Sequence, residues 1–237
     1  MLRVGRVFSG ATVCAALLVK QQTQGLTWGS SEFGQLGLGD DKAHNVPQSA
    51  SESGIVKVRL GGDTSLFLGA AGELYSFGRG QDGALGHGDA SNEAYPRLVE
   101  GLAAVVDAST SGLHSGAVSI DGDLFTWGRS WQGQLGRFAK GKDALVPGKV
   151  EFSALAKQVA CGRNHTLVLD QQGHVWSFGE GSDGALGLGD KKTRQTPELI
   201  AGLDNVVKVA AGDGFSLALT ADGTVFTFGN DDYVVYV

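Results

Sequence analysis

Along the chain, short apolar runs alternate with stretches rich in glycine and aspartate, and no repeated segment keeps a helical period. Asn205–Ala211 reads as a strand stopping at Gly212, Phe215–Thr220 as a second and Thr224–Phe228 as a third. Asp222-Gly223 between the last two is a strong hairpin signal, because type I′ turns need positive φ. Asp121-Gly122 and Gln172-Gly173 stand at the same place. A shorter segment after each proline, such as Glu198–Ile200, is expected as a fourth strand. Phe226 and Phe228 share one face of their strand, with Val225 and Thr227 on the other. Both faces are largely apolar, which suits a sheet covered on both sides.

The same pattern returns about every fifty residues. An aromatic-glycine pair recurs at Trp28-Gly29, Phe77-Gly78, Trp127-Gly128, Phe178-Gly179 and Phe228-Gly229, at spacings of 49, 50, 51 and 50. A Leu-Gly pair recurs at Leu36-Gly37, Leu85-Gly86, Leu135-Gly136 and Leu186-Gly187. Pro47, Pro96, Pro147 and Pro197 keep that period, as do Gly62, Gly112, Gly162 and Gly212. The units are bounded as Leu26–Glu73, Leu74–Asp123, Leu124–His174, Val175–Thr224 and a partial Val225–Val237. Four antiparallel strands per unit, apolar on both faces and repeated in line, predict an all-β β-propeller of four-stranded blades, about four of them present. The Trp-Asp signature of the ~40-residue propellers is missing, and the Gly-Gly doublet of kelch repeats occurs only at Gly61-Gly62.

The residues from Val159 to Leu169, from Gln172 to Gly179 and from Gly184 to Asp190 resemble repeats of the regulator of chromosome condensation family. The resemblance covers residues 26–237. It implies a propeller that usually has seven blades, so this chain is expected to be incomplete, as a fragment or by closing between copies. Open blade edges then predict self-association. The family's functions vary: nucleotide exchange on a small GTPase, chromatin binding, ubiquitin-ligase scaffolding, light sensing and mitochondrial roles. Fold alone therefore selects none of them. The family's Gly-x-x-His-Ser/Thr pattern survives at Gly112–Ser115 and Gly162–Thr166, with Ser65 and Phe215 read into the histidine position elsewhere.

Glycine makes up 38 of 237 residues but proline only 4, and 42% hydrophobic residues are enough for a sizeable core. Cys14 and Cys161 exclude a disulfide scaffold and a cysteine-based zinc module. No apolar run reaches the ~20 residues of a membrane-spanning helix. Residues 1–25 hold Arg3, Arg6 and Lys20 and no acid, so the rest of the chain carries a net −9. An acidic body repels phosphate backbones, which disfavours direct nucleic-acid binding. Residues 1–25 are read as a targeting leader or extension. Its arginines and lack of acids predict mitochondrial import, with cytoplasm or nucleus as alternatives. Secretion ranks below these, because Lys20-Gln21-Gln22 makes a poor cleavage site.

Several motifs reduce to the repeat. Gly78–Gly83 and Gly179–Gly184 match G-x-G-x-x-G, yet Ala-Leu-Gly follows where a dinucleotide site needs a helix. Gly136–Lys142 approaches a phosphate loop but continues with Asp143 instead of a hydroxyl residue. His114 and His165 hold a repeat position, and Asp40, Asp89 and Asp190 close equivalent loops, so these read as structural. No nucleophile–base pair, cofactor site or metal cluster emerges, and no enzyme activity is expected. The third unit breaks the pattern. Its long connection carries Arg129, Trp131, Arg137, Phe138, Lys140 and Lys142, with Trp131 read where other loops have Phe33, Asp82 or Asp183. Tryptophan and arginine dominate interface hot spots, so this loop is the candidate site, expected to meet an acidic protein partner. The expected function is a non-enzymatic protein-interaction propeller; the alternative is a guanine-nucleotide exchange factor for a small GTPase.

Overall fold

The computed structural model describes residues 14–18, 25–50, 52–139 and 141–230 and contains no α-helix among them. The first sheet holds β1 (Cys14–Leu18), β2 (Gly25–Gly29) and β3 (His44–Ser49). The second holds β4 (Ile55–Gly61), β5 (Thr64–Gly69), β6 (Leu74–Gly78) and β7 (Glu93–Leu98). The third holds β8 (Val105–Thr110), β9 (His114–Ser119), β10 (Leu124–Gly128) and the two-residue β11 (Gly148–Lys149). The fourth holds β12 (Ala156–Cys161), β13 (His165–Asp170), β14 (Val175–Gly179) and β15 (Arg194–Leu199). The fifth holds β16 (Val206–Ala211), β17 (Phe215–Thr220) and β18 (Val225–Gly229). All five are antiparallel meanders in chain order, the blades of an incomplete β-propeller.

The sheets are out of phase with the sequence repeat. The unit Leu74–Asp123 contains β6 and β7, which finish the second sheet, and β8 and β9, which begin the third. Each unit thus contributes half of two neighbouring blades. Cys14 pairs with Gly29 as His165 pairs with Gly179, so β1 takes the place of a second strand. The stretch read as a leader therefore contains a strand of the first sheet. Three of the fourth strands run through their prolines instead of following them, Pro47 in β3, Pro96 in β7 and Pro197 in β15, while β11 follows Pro147 as expected. Each of the three is the last strand in its sheet, where a missing N–H leaves no ladder bond unmade.

Neighbouring sheets are locked at the Leu-Gly corners. In the fourth unit Ser177 Oγ donates to the Leu186 carbonyl at 2.7 Å, holding the corner to its own sheet. The preceding carbonyl, of Ala185, accepts from Ser216 Oγ of the next sheet at 2.8 Å. Gly187 then lies flat against the Phe228 ring of that next sheet. The same three contacts recur as Ser76–Leu85, Ser115–Ala84 and Gly86 on Trp127. They recur again as Thr126–Leu135, Thr166–Gln134 and Gly136 on Phe178. Thr27–Leu36, Ser65–Gln35 and Gly37 on Phe77 complete the series. The recurrent aromatic is thus the floor of the previous blade's glycine corner. Phe77, Trp127 and Phe178 are fully buried there, each within an apolar cluster.

A second set of links joins the first strands. Arg59 Nε of β4 donates to the Ala108 carbonyl of β8 at 3.0 Å, and its Nη2 meets Asp107 Oδ1 at 3.0 Å. Asp107 Oδ2 in turn accepts from the Val159 amide of β12, and Gln158 bonds both the amide and the carbonyl of Val209 in β16. These strands line the axis around which the sheets are arrayed. Every position of β5, β9 and β13 is buried, whereas β17 alternates buried with half-buried. On the far side of the fifth sheet Val225 is 58% exposed, while the equivalent Val175 is fully covered by Leu203 and Val206 of the following segment.

The corner makes a direct prediction. Gly136 has φ +63, and a Cβ there would come 2.8 Å from the buried Phe178 ring. Gly136→Ala is expected to cost about 2–4 kcal/mol, combining left-handed backbone strain with overpacking. Gly189 has φ +78 but nothing within 4 Å of its Cβ position. Gly189→Ala should therefore cost only the backbone share, roughly 1 kcal/mol. Urea denaturation midpoints of the two variants check the difference.

Candidate protein-interaction surface

The connection between β10 and β11 turns its two arginines inward. Arg129 donates through Nε and Nη2 to Asp82 Oδ2 at 3.1 and 2.7 Å, and both side chains are largely covered. Asp82 belongs to the preceding sheet's long connection, so this pair ties neighbouring blades. Arg79 does the same job one blade earlier, lying 4.8 Å over the Phe33 ring and 3.7 Å from Asp63. Arg137 folds back so that Nη2 donates to the Thr126 carbonyl at 2.9 Å, with the guanidinium packed on Gly148. A side chain at position 148 would displace it.

The aromatic residues of this connection point outward instead. Trp131 is 75% exposed and Phe138 is 86% exposed. Arg129 lies 4.9 Å over the Trp131 ring and braces the indole by a cation–π contact. Ala139 packs with Leu135 and Ala144, so the loop beside Phe138 is anchored from beneath. Lys142 falls in a short 3₁₀ turn, Gly141–Ala144, and Lys140 lies outside the described residues. The expectation that Arg129 and Arg137 present charge to a partner does not survive this geometry. Their charges are taken up by Asp82 and by backbone carbonyls.

Two positional readings are also corrected. Gly34, Gly83, Gly133 and Gly184 share φ near +80, and each amide donates to the carbonyl three residues back. Trp131 therefore aligns with Glu32, Gln81 and Ser182, and Gln132 takes the place of Phe33, Asp82 and Asp183. Trp131 replaces small or polar side chains at an outward position. Likewise Thr64 pairs with Gly78 as His114 pairs with Gly128, so Thr64 and not Ser65 holds the histidine position.

The other candidates serve the fold. Asp40, Asp89 and Asp190 accept from the amides of Lys42, Ser91 and Lys192 at 3.2, 2.8 and 2.9 Å, closing their loops. Gly78–Gly83 itself ends in a three-residue 3₁₀ turn, Gln81–Gly83, with no α-helix after it, and the Gly80 amide donates to Asn92 Oδ1. Asn164 Nδ2 donates to Glu180 Oε2 at 2.8 Å. Burial pushes the Cys161 thiol up to about 12, far from a reactive thiolate. Among the described residues, no group of three or more His, Cys, Asp or Glu is placed to hold a metal, and no helix is long and apolar enough to cross a membrane.

The sequence profile described as "Regulator of chromosome condensation (RCC1) repeat" matches residues 26–68, 71–118, 121–169 and 172–219. The chain is 39% identical over 213 residues to the human E3 ubiquitin-protein ligase HERC2, covering 84% of this chain and 4% of that protein. It is 33% identical to the "RCC1 domain-containing protein RUG3, mitochondrial" of Arabidopsis thaliana, covering 86% of this chain and 49% of that protein. Its structure is similar to human WBSCR16 with a TM-score of 0.83 and 30% identity, across 96% of this chain and 62% of that one. The chain thus spans about half the length of the mitochondrial relative, and a small fraction of the ligase.

The buried histidines carry a pH signature. His114 Nε2 lies 2.8 Å from Thr166 Oγ1, and His165 Nε2 lies 2.9 Å from Ser216 Oγ, each across a blade boundary. Both hydroxyls already donate to carbonyls, so the imidazoles are the donors here, in their neutral Nε2–H form. Burial holds their pKa values down, to about 3 for His114 and about 4 for His165, from 6.5. Because only the unfolded chain gains the protons, stability is complete above about pH 6.5. It falls as the pH drops from there toward 3–4, by up to about 1.4 kcal/mol per pH unit for each ring. His165→Gln, which can still donate to Ser216, is expected to lose less melting temperature than wild type between pH 7 and pH 5. Equal losses in thermal melts would refute this account of the ring.

Proposed function

The chain belongs to the regulator of chromosome condensation repeat family, and on that premise we propose that it is a non-enzymatic propeller that binds protein through the β10–β11 connection. The supporting observation is the outward pair Trp131 and Phe138 on a loop whose arginines are spent internally. Large exposed aromatics on an anchored loop bury area at little entropic cost, which is the usual composition of an interface hot spot. The partner is accordingly read from apolar contact with these rings. The lysines at 140 and 142 would add electrostatic preference for an acidic rim. Nucleotide exchange on a small GTPase is the alternative that the family resemblance allows.

Two observations bear on location: the acid-free start with Arg3 and Arg6, and a relative named as mitochondrial. Import into mitochondria is the reading adopted. Residues 1–25 fused to a fluorescent reporter are expected to direct it there, and a secreted or cytosolic reporter would reject import.

The double variant Trp131→Ala, Phe138→Ala is expected to melt like wild type, since both rings stand in solvent. In a quantitative pull-down it should lose the proteins that wild type retains, and retention of the same set would discard the site. Release of fluorescent GDP from candidate GTPases, accelerated by the wild-type chain, would move the assignment to an exchange factor.

A further inference from the structure

Strand order divides the connections into two ends. The first-to-second and third-to-fourth connections of every sheet lie at one end, where Trp131 is. The hairpins 70–73, 120–123, 171–174 and 221–224 lie at the other, with the sheet-to-sheet linkers 50–54, 99–104, 150–155 and 200–205. The two ends differ in charge. The Trp131 end mixes signs, with Arg79, Arg129, Arg163 and Lys192 among its acids. The described connections of the opposite end hold eight Asp and Glu residues and no Lys or Arg; Lys149, at the end of β11, reaches this end and pairs with one of the eight, Asp123, at 2.8 Å.

That acidic end opens into a groove of about 340 Å³ lined by Glu151, Phe152, Ser153, Trp176, Thr196 and Pro197. The groove is formed where the linker into the fourth sheet crosses β14 and β15. Phe152 meets Trp176 edge-on, with centroids 5.2 Å apart and planes at 79°. The indole is fixed from behind, its Nε1 donating to the buried Asp170 carboxylate at 3.0 Å. Asp170 is itself held by the His174 amide and ring at 2.9 and 3.2 Å. The aromatic walls are therefore set before any ligand arrives, which lowers the cost of binding. Glu151 stands exposed at the mouth, beside a half-covered Trp176.

We propose that this groove docks an extended, arginine-bearing segment of a protein partner. A guanidinium stacks on the Trp176 indole while Glu151 accepts its N–H donors, a pairing that the planar Arg head makes better than Lys. The surrounding carboxylates steer a cationic segment inward and repel nucleic acid and anionic membranes. This site lies at the far end of the sheets from Trp131, so it stands or falls independently of the aromatic loop.

The test is fluorescence anisotropy with the full chain and a fluorescein-labelled octapeptide of alternating arginine and glycine, at about 0.15 M salt. Binding is expected to weaken about tenfold or more in Glu151→Lys and by a smaller factor in Trp176→Phe, which keeps a ring but loses the stronger cation–π surface. Glu32→Lys, the same charge change at the opposite end, should stay within about twofold of wild type. No binding by wild type, or equal weakening in Glu32→Lys and Glu151→Lys, would overturn the proposal as general charge attraction. Glu151 and Glu32 are both solvent-exposed, so neither reversal threatens folding.

Discussion

Everything in this molecule depends on one shared corner. At each Leu-Gly turn two successive backbone carbonyls are divided between two sheets: one accepts a hydroxyl from its own blade, the next a hydroxyl from the following blade. The glycine beside them then offers a bare face to an aromatic ring. A polar backbone turn enclosed between sheets would carry a heavy desolvation cost if those carbonyls went unpaired. Serine or threonine at two fixed places in the unit removes that cost. The hydroxyls and the ring together fix how far each blade is rotated against its neighbour. The third unit departs from the others in its long connection and still keeps the corner intact.

The two ends of the sheets use that freedom differently. At one end, ion pairs and a cation–π contact consume the arginines as fasteners between consecutive loops, and aromatic rings are left facing solvent. At the other, short hairpins and linkers carry an excess of acidic groups, of which Asp123 is paired to Lys149, around a slot whose tryptophan is held by a buried carboxylate. A single scaffold thus presents an apolar surface and an anionic one on opposite sides.

The strands, the hairpins and the propeller were legible in the sequence because each marker residue has a backbone reason to recur. Aromatic-glycine and Leu-Gly pairs, read only as a period, turn out to be the two halves of one contact. What escaped was anything requiring three-dimensional register. Trp131 is one position away from where the linear alignment placed it, because that loop holds its glycine turn and gains its one extra residue later. Arg129 looked free since its partner, Asp82, is 47 residues earlier in the chain. The groove at Trp176 was invisible because its walls come from a linker and two strands, none unusual on its own. Three of the fourth strands ran through prolines that local rules place outside them, an outcome that only their edge position permits.

The offset between sequence unit and blade has a consequence for how such arrays change. A tandem duplication of residues 74–123 would insert the last two strands of one blade and the first two of another. The new halves would complete each other and their neighbours, leaving no orphaned strand inside the array. Growth or loss by a whole unit then keeps every strand paired, whereas a cut at a blade boundary would split one sequence unit in two. Inheritance and architecture are staggered like bricks in a wall, and the overlap makes the lengthening of the stack a small evolutionary step.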